Sequence, residues 1–270
     1  MNTRDLVHLL DRVRGGRVVV LTGAGISAES GIPTFRGPQG YWTIGSTVYR
    51  PEQLATQAAF LQQPREVWRW YLYRRTVCNR AQPNEAHAAL VRLEQALGDR
   101  FSLVTQNVDG LHLRAGSTPA RTFQIHGNTD FIRAADGTPG MFPMPEGIPE
   151  FERDMPLDDA VWSRLVTPSG ARARPHVLWF DECYDEAHFR AASAVAAAQR
   201  CDLLITVGTA GATALPHQCV AAAEDSGAVL IDVNPSANPF SARASASPRG
   251  AWVRAVSGEA IPAIVSAIID

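Results

Sequence analysis

The four cysteines of this 270-residue chain, Cys78, Cys183, Cys201 and Cys219, include no C-x-x-C pair. That spacing argues against both a disulfide framework and a zinc ribbon. Cys201, opening an apolar strand pattern, and Cys219, in an alanine-rich helix pattern, read as small buried residues. Charge of one sign is not in excess: 25 basic against 27 acidic side chains leave a formal net charge of -2. A nucleic-acid or anionic-membrane surface therefore finds no support. No signal-peptide core and no long apolar run is present, so a cytoplasmic protein without a membrane span is expected. No internal repeat is seen. What remains, 46% hydrophobic and 19% charged residues, is the composition of a globular chain. Its length suits one large α/β domain carrying an inserted part.

The most informative stretch joins a β-type run, Val18-Val19-Val20-Leu21-Thr22, to Gly23-Ala24-Gly25-Ile26-Ser27-Ala28. A strand feeding a glycine-rich turn brings backbone N–H groups up to a pyrophosphate. Gly23 and Gly25 allow the tight turn, and Ala28 falls where the third small residue of G-x-G-x-x-G/A belongs. One feature of a dehydrogenase is missing: a second strand ending in Asp or Glu about 20 residues on. That region reads Gly40-Tyr41-Trp42-Thr43-Ile44-Gly45-Ser46, which strains a hydride-transfer reading.

Strand-like runs recur at 17–22, 101–105, 122–125, 177–180, 203–207, 229–233 and 252–256, several continuous and β-branched as in parallel strands buried on both faces. Helical patterns at 85–97, 186–199, 214–224 and 259–269 separate many of them. The alternation predicts an α/β fold, a doubly wound parallel (Rossmann-like) sheet. Two stretches break it. Residues 37–81 carry two helical patterns (51–62 and 64–80) and Trp42, Trp68 and Trp70; residues 128–174 are rich in Gly, Pro and acids. Together they predict a smaller inserted module, beside a larger part spanning about 1–36, 82–127 and 175–270, with a cleft between. The Ser/Ala/Pro/Asn-rich piece 234–250 reads as a mobile surface loop.

Polar residues gather at predicted strand ends. Thr105-Gln106-Asn107-Val108-Asp109 offers amides and a carboxylate for sugar hydroxyls, though Asp109 is as readily a helix cap. His126, after Phe123-Gln124-Ile125, suits a general base on a ribose hydroxyl, a structural histidine being the alternative. Val207-Gly208-Thr209-Ala210 and Val233-Asn234-Pro235 could admit an adenosine or be plain turns.

Taken in order, Gly-Ala-Gly-Ile-Ser…Pro-Thr-Phe-Arg, Thr-Gln-Asn-Val-Asp-Gly-Leu-His, Ile-His-Gly, Arg-Pro-His-Val-x-Trp-Phe, Val-Gly-Thr and Val-Asn-Pro resemble the sirtuins, the NAD-dependent protein deacylases, from about Val18 to the last strand. The resemblance implies that Gly23, Ala24, Gly25 and Ser27 approach the NAD phosphates. Phe35 would shield the ribose, and Arg36 would hold the cofactor's pose. Gln106, Asn107 and Asp109 would serve the nicotinamide ribose and pocket, and Gly208, Thr209 and Asn234 the adenosine end. His126 would be the catalytic base, acting in the second half of a reaction that yields nicotinamide and O-acyl-ADP-ribose. Val177, Trp179 and Phe180 would meet an acyl-lysine protein or peptide. ADP-ribosyl transfer or NAD hydrolysis on the same fold is the alternative.

Tyr71 and Arg74, at i and i+3 of one helix pattern, are similar to the branch that removes acidic acyl groups. Arg offers a forked, permanently charged donor set matched to a carboxylate; a solvated Arg beside a core Tyr is the bland reading. Two departures stand out. The family usually carries two C-x-x-C pairs where residues 128–174 here hold no Cys and no His, so no structural zinc is expected and Phe142, Phe151, Trp162 and Leu165 would pack the module instead. Asp181 replaces the usual Gly and would bring a charge to the peptide groove. The oligomeric state is not legible.

Overall fold

A computed structural model describes residues 3–34 and 51–269. Phe35, Arg36 and Trp42 lie outside the described residues. Among the described residues nine strands form two sheets. In the larger sheet β1 (Val18–Thr22), β2 (Phe101–Thr105), β3 (Thr122–Gln124), β7 (Leu203–Val207), β8 (Val229–Val233) and β9 (Gly250–Val253) lie in the order β3-β2-β1-β7-β8-β9. Every neighbouring pair is parallel. The smaller sheet, β5-β4-β6, is antiparallel and comprises β4 (Gly127–Ala134), β5 (Phe142–Pro143) and β6 (Ala173–Val177).

The parallel sheet follows from its residues. β1, β7 and β8 are buried along their whole length, and β-branched side chains dominate them. Alternate residues serve opposite faces: Val18 and Val20 join one core with helices 85–97 and 257–269, while Val19 and Leu21 join another with helices 191–199 and 214–225. From β1 the chain builds outward to β2 and β3, then returns to build β7, β8 and β9 on the other side. The reversal between β1 and β7 opens a crevice at the C-terminal ends of these strands.

Two sequence expectations need correction. The run at 177–180 is no strand of the parallel sheet. β6 ends at Val177, pairs antiparallel with β4, and belongs to the small sheet. Its apolar character comes from packing into the module's own core rather than from burial between two helical layers. The piece 234–250 is no open loop either. It contains a helix, Pro239–Ala246, whose N-terminus is fixed by the Asn238 side chain accepting from the Phe240 and Ser241 N–H groups. Phe240 and Ala244 are fully buried. The capping residue and Pro at the first helical position were the available signals.

The small module has an aromatic core in which Trp68, Trp179, Phe151 and Leu165 are fully buried and Phe142 and Trp162 sit at the edge. All 25 basic residues of the chain are arginines, and here their planar groups stack on indoles. Arg174 lies 3.4 Å from the centre of the Trp179 ring and Arg172 4.0 Å from that of Trp162. Arg174 and Arg133 both bond the Glu182 carboxylate.

Candidate active site

The two glycine-bearing turns meet at the strand switch. Gly23 is extended and opens a 3₁₀ stretch, Ala24–Ser30; the Gly23 N–H donates to Val207 O (2.9 Å) and the Gly25 N–H to Gly208 O (2.8 Å). A Cβ on Gly25 would come within 2.6 Å of Gly208 Cα, and one on Gly208, whose φ is +59°, within 2.5 Å of the Ile26 nitrogen. These glycines are therefore required by two backbones touching, a reason the fingerprint reading did not anticipate. Ala24 and Thr209 flank the contact.

Beside it lies a polar floor. Asn107 Nδ2 donates to Gly23 O (3.2 Å) and Ser27 Oγ (3.1 Å), and Ser27 donates to Asp109 Oδ2 (2.7 Å). Burial pushes the Asp109 carboxyl up, while the Leu111 N–H on Oδ1 (2.9 Å) and Ser27 pull it back. Asp109 thus does both things the sequence left open: it binds the first helical N–H and anchors the floor. The hydroxyl of Ser27 is wholly buried and turned into this network. Gln106 Nε2 donates to Thr209 Oγ1 (2.9 Å), and Asn234 Nδ2 to Thr209 O (3.0 Å), so Gly208, Thr209 and Asn234 form one connected rim.

His126 stands in the turn between β3 and β4. Its Nδ1 is 3.0 Å from Gln106 O and its Nε2 2.8 Å from the Tyr184 hydroxyl. A carbonyl only accepts, so Nδ1 carries the hydrogen and Nε2 the lone pair. Burial lowers its pKa to about 4, partly offset by the Gln106 carbonyl. The ring is a neutral base at any physiological pH, with its accepting nitrogen on the Tyr184 hydroxyl.

Tyr71 and Arg74 share a face of the helix Pro64–Arg80 and are 2% and 5% exposed, which disposes of a solvated arginine. Trp179 Nε1 donates to the Tyr71 oxygen at 3.0 Å, leaving the phenolic hydrogen for another acceptor. Val177 and Trp179 are buried; Phe180 is 53% exposed, tied by its N–H to Ala55 O (2.9 Å). Asp181 departs from expectation: its carboxylate accepts from the N–H groups of Gln57 (2.8 Å) and Ala58 (3.1 Å), at the start of the helix Gln57–Gln62. Its charge is spent on a helix N-terminus rather than on the groove.

The expected site residues among those described, from Gly23 to Asn234, border one cavity of about 810 Å³, and Asp181 does not; the volume suits a large ligand. Phe35 and Arg36 lie outside the described residues. Sequence reasoning missed Tyr184 and Thr213, whose hydroxyl donates to Gln106 Oε1 (3.1 Å). Tyr184 is 58 positions from His126, in a loop whose spacing carries no signal. Among the described residues no group of three or more His, Cys, Asp or Glu could hold a metal ion.

Comparison with known proteins gives one family. The Sir2 family pattern matches residues 23–214. A protein of Leptospira interrogans named NAD-dependent protein deacylase is 38% identical over 255 residues, covering 94% of each chain. One of the same name from Aeropyrum pernix is 42% identical over 228 residues, 83% of this chain and 82% of that one. A solved Sir2 homologue in complex with NAD superposes with a TM-score of 0.76 at 32% identity, over 99% of this chain and 94% of the other.

Proposed function

The chain belongs to the Sir2 family, and we propose that it is an NAD-dependent protein-lysine deacylase with a preference for acidic acyl groups such as succinyl or malonyl over acetyl. The observation that carries the reading is a single cavity holding three things together: the Gly25–Gly208 crossing, the Nε2 lone pair of His126, and the buried Tyr71–Arg74 pair. The residues fit NAD as co-substrate. The glycine turns that meet at the strand switch bring backbone to the cavity wall, where a pyrophosphate can approach it, and Gln106, Asn107 and Asn234 supply amides beside it. When bound, NAD supplies a nicotinamide leaving group and, on its departure, an electrophilic ribose carbon for the acyl-lysine oxygen.

The chain's own residues do the rest. Gln106 O fixes the His126 tautomer so that Nε2 takes the proton of a hydroxyl brought to it. Asn107, Ser27 and Asp109 keep the pocket floor rigid through mutual hydrogen bonds. Trp179 and Val177 exclude water from one wall. Arg74, held 4.8 Å from the Trp70 ring centre, and the free hydrogen of Tyr71 offer a forked cation and a donor for a distal carboxylate.

The donors for a structural zinc do not fit: residues 128–174 contain neither Cys nor His. We place the module's stability in its aromatic core and its arginine–glutamate contacts instead.

The test is His126→Ala, assayed by mass spectrometry with NAD and a succinyl-lysine peptide. Loss of at least about 10²-fold in peptide deacylation is expected. Nicotinamide release that continues without peptide, or ADP-ribose mass on the protein, would replace the reading by NAD hydrolase or ADP-ribosyltransferase. The chain has no lysine of its own, so no lysine side chain of the enzyme competes with the peptide.

A further inference from the structure

The accepting nitrogen of His126 already has an occupant. Nε2 lies 2.8 Å from the Tyr184 hydroxyl, and the two rings stack with centres 5.8 Å apart at 29°. Because Gln106 O claims the hydrogen on Nδ1, Nε2 of the neutral ring has none, and the phenol must be the donor. We infer that Tyr184 is a positioning residue for His126: its O–H sits on the Nε2 lone pair, keeps it aimed into the cavity, and yields that place when a substrate hydroxyl arrives. The inference rests on the deacylase reading only in naming that hydroxyl.

The phenol is built in. Its ring packs against the core that contains Leu215 and Cys219. The segment carrying it is pinned on both sides, by Glu182 accepting from the Trp179 N–H (2.9 Å) and by Asp185 accepting from the His188 N–H (2.6 Å). Burial pushes the Tyr184 hydroxyl up to about 12, so it remains a donor throughout the working range. A donor on Nε2 favours the neutral imidazole, in the same direction as burial. The charged groups on the cavity wall are Glu29, Arg74, Asp109 and Glu182, while burial, partly offset by the Gln106 carbonyl, lowers His126. Of the two groups hydrogen-bonded to the ring, Gln106 offers backbone and Tyr184 a side chain, so Tyr184 is the one a substitution can remove.

The test is nitrogen NMR of the imidazoles in the full chain, comparing the wild type with Tyr184→Phe, and with 3-fluorotyrosine placed at 184 as a stronger donor of nearly the same shape. In Tyr184→Phe the Nε2 resonance should move towards that of an unbonded acceptor. The His126 midpoint, near 4, should rise by roughly half to one pH unit. The fluorinated side chain should move both the other way, and it keeps the test open should Tyr184→Phe fail to fold. In deacylation the acid limb should follow the midpoint. An unmoved resonance and midpoint, or a uniform rate loss at every pH with no shift of the limb, would overturn the inference and leave Tyr184 a packing residue. The NMR readings need no turnover. If they shift while no peptide is deacylated, the activity reading fails and the Tyr184–His126 coupling stands.

Discussion

The parallel sheet and the small module meet at one cavity yet are held together by different physics. In the sheet half, long runs such as Val18–Leu21 and Leu203–Val207 bury side chains on both faces, and the stabilisation scales with apolar area removed from water. In the small module three antiparallel strands enclose an aromatic core. Around it, Arg133 and Arg174 converge on Glu182, and Arg172 and Arg174 stack on Trp162 and Trp179. The first half tolerates many hydrophobic exchanges of equal volume. The second depends on a few charged groups that converge on one carboxylate, Glu182. The segment 177–182 belongs to both tasks, since Glu182 anchors it and Val177, Trp179 and Phe180 face the cavity.

That contrast can be broken most severely at Glu182. Glu182→Ala strands two largely buried guanidinium groups, and removing one partner of such a set costs about 3–5 kcal/mol. Denaturant unfolding should show that loss, whereas an effect below about 1 kcal/mol, the size of an exposed pair, would mean that the aromatic core alone holds the module. Next is Gly25→Ala, in the sheet half, where the new Cβ meets the backbone of Gly208. Overpacking of this kind costs about 1–3 kcal/mol. NAD binding, followed by titration calorimetry, should weaken with it; a neutral substitution would show that the two turns can part. Smallest near neutrality, and shared by both halves, is the response to acid. Burial lowers His87, His126 and His176 to about 4. Below about 6.5 the unfolded chain binds protons that the folded one refuses, so stability falls as pH drops from about 6.5 towards 4 and is flat in these groups above it. A thermal midpoint that rose on acidification through that window would contradict the burial of these rings.

The same contrast explains what could be read from sequence. The β-branched runs, the glycines after β1 and the polar strand ends are local patterns, and they placed β1, β2, β3, β7 and β8 within a residue and His126 just after β3, while the last strand, expected at 252–256, runs Gly250–Val253. In the module β6 pairs with β4 across a Gly- and Pro-rich stretch that holds only the two-residue β5 and the helix Asp159–Arg164, so no period announces the pairing. Helix Pro239–Ala246 was hidden by composition, though Asn238-Pro239 was a legible start. Asp181 and Tyr184 were beyond reach because their partners, Gln57 and His126, are 124 and 58 positions away. Contacts of that kind are set by tertiary geometry alone.

The central claim is that the buried Tyr71–Arg74 pair makes this Sir2 site a reader of acidic acyl-lysines. Its most direct test is mass spectrometry of NAD-dependent turnover of one peptide as succinyl-lysine and acetyl-lysine, by the wild type and by Arg74→Met. The account predicts O-acyl-ADP-ribose formed faster from the succinyl peptide, and a loss of roughly 10–100-fold on that substrate alone in the variant, the size of a charge-assisted contact. Equal turnover of the two peptides by the wild type, or desuccinylation untouched by Arg74→Met, would contradict it.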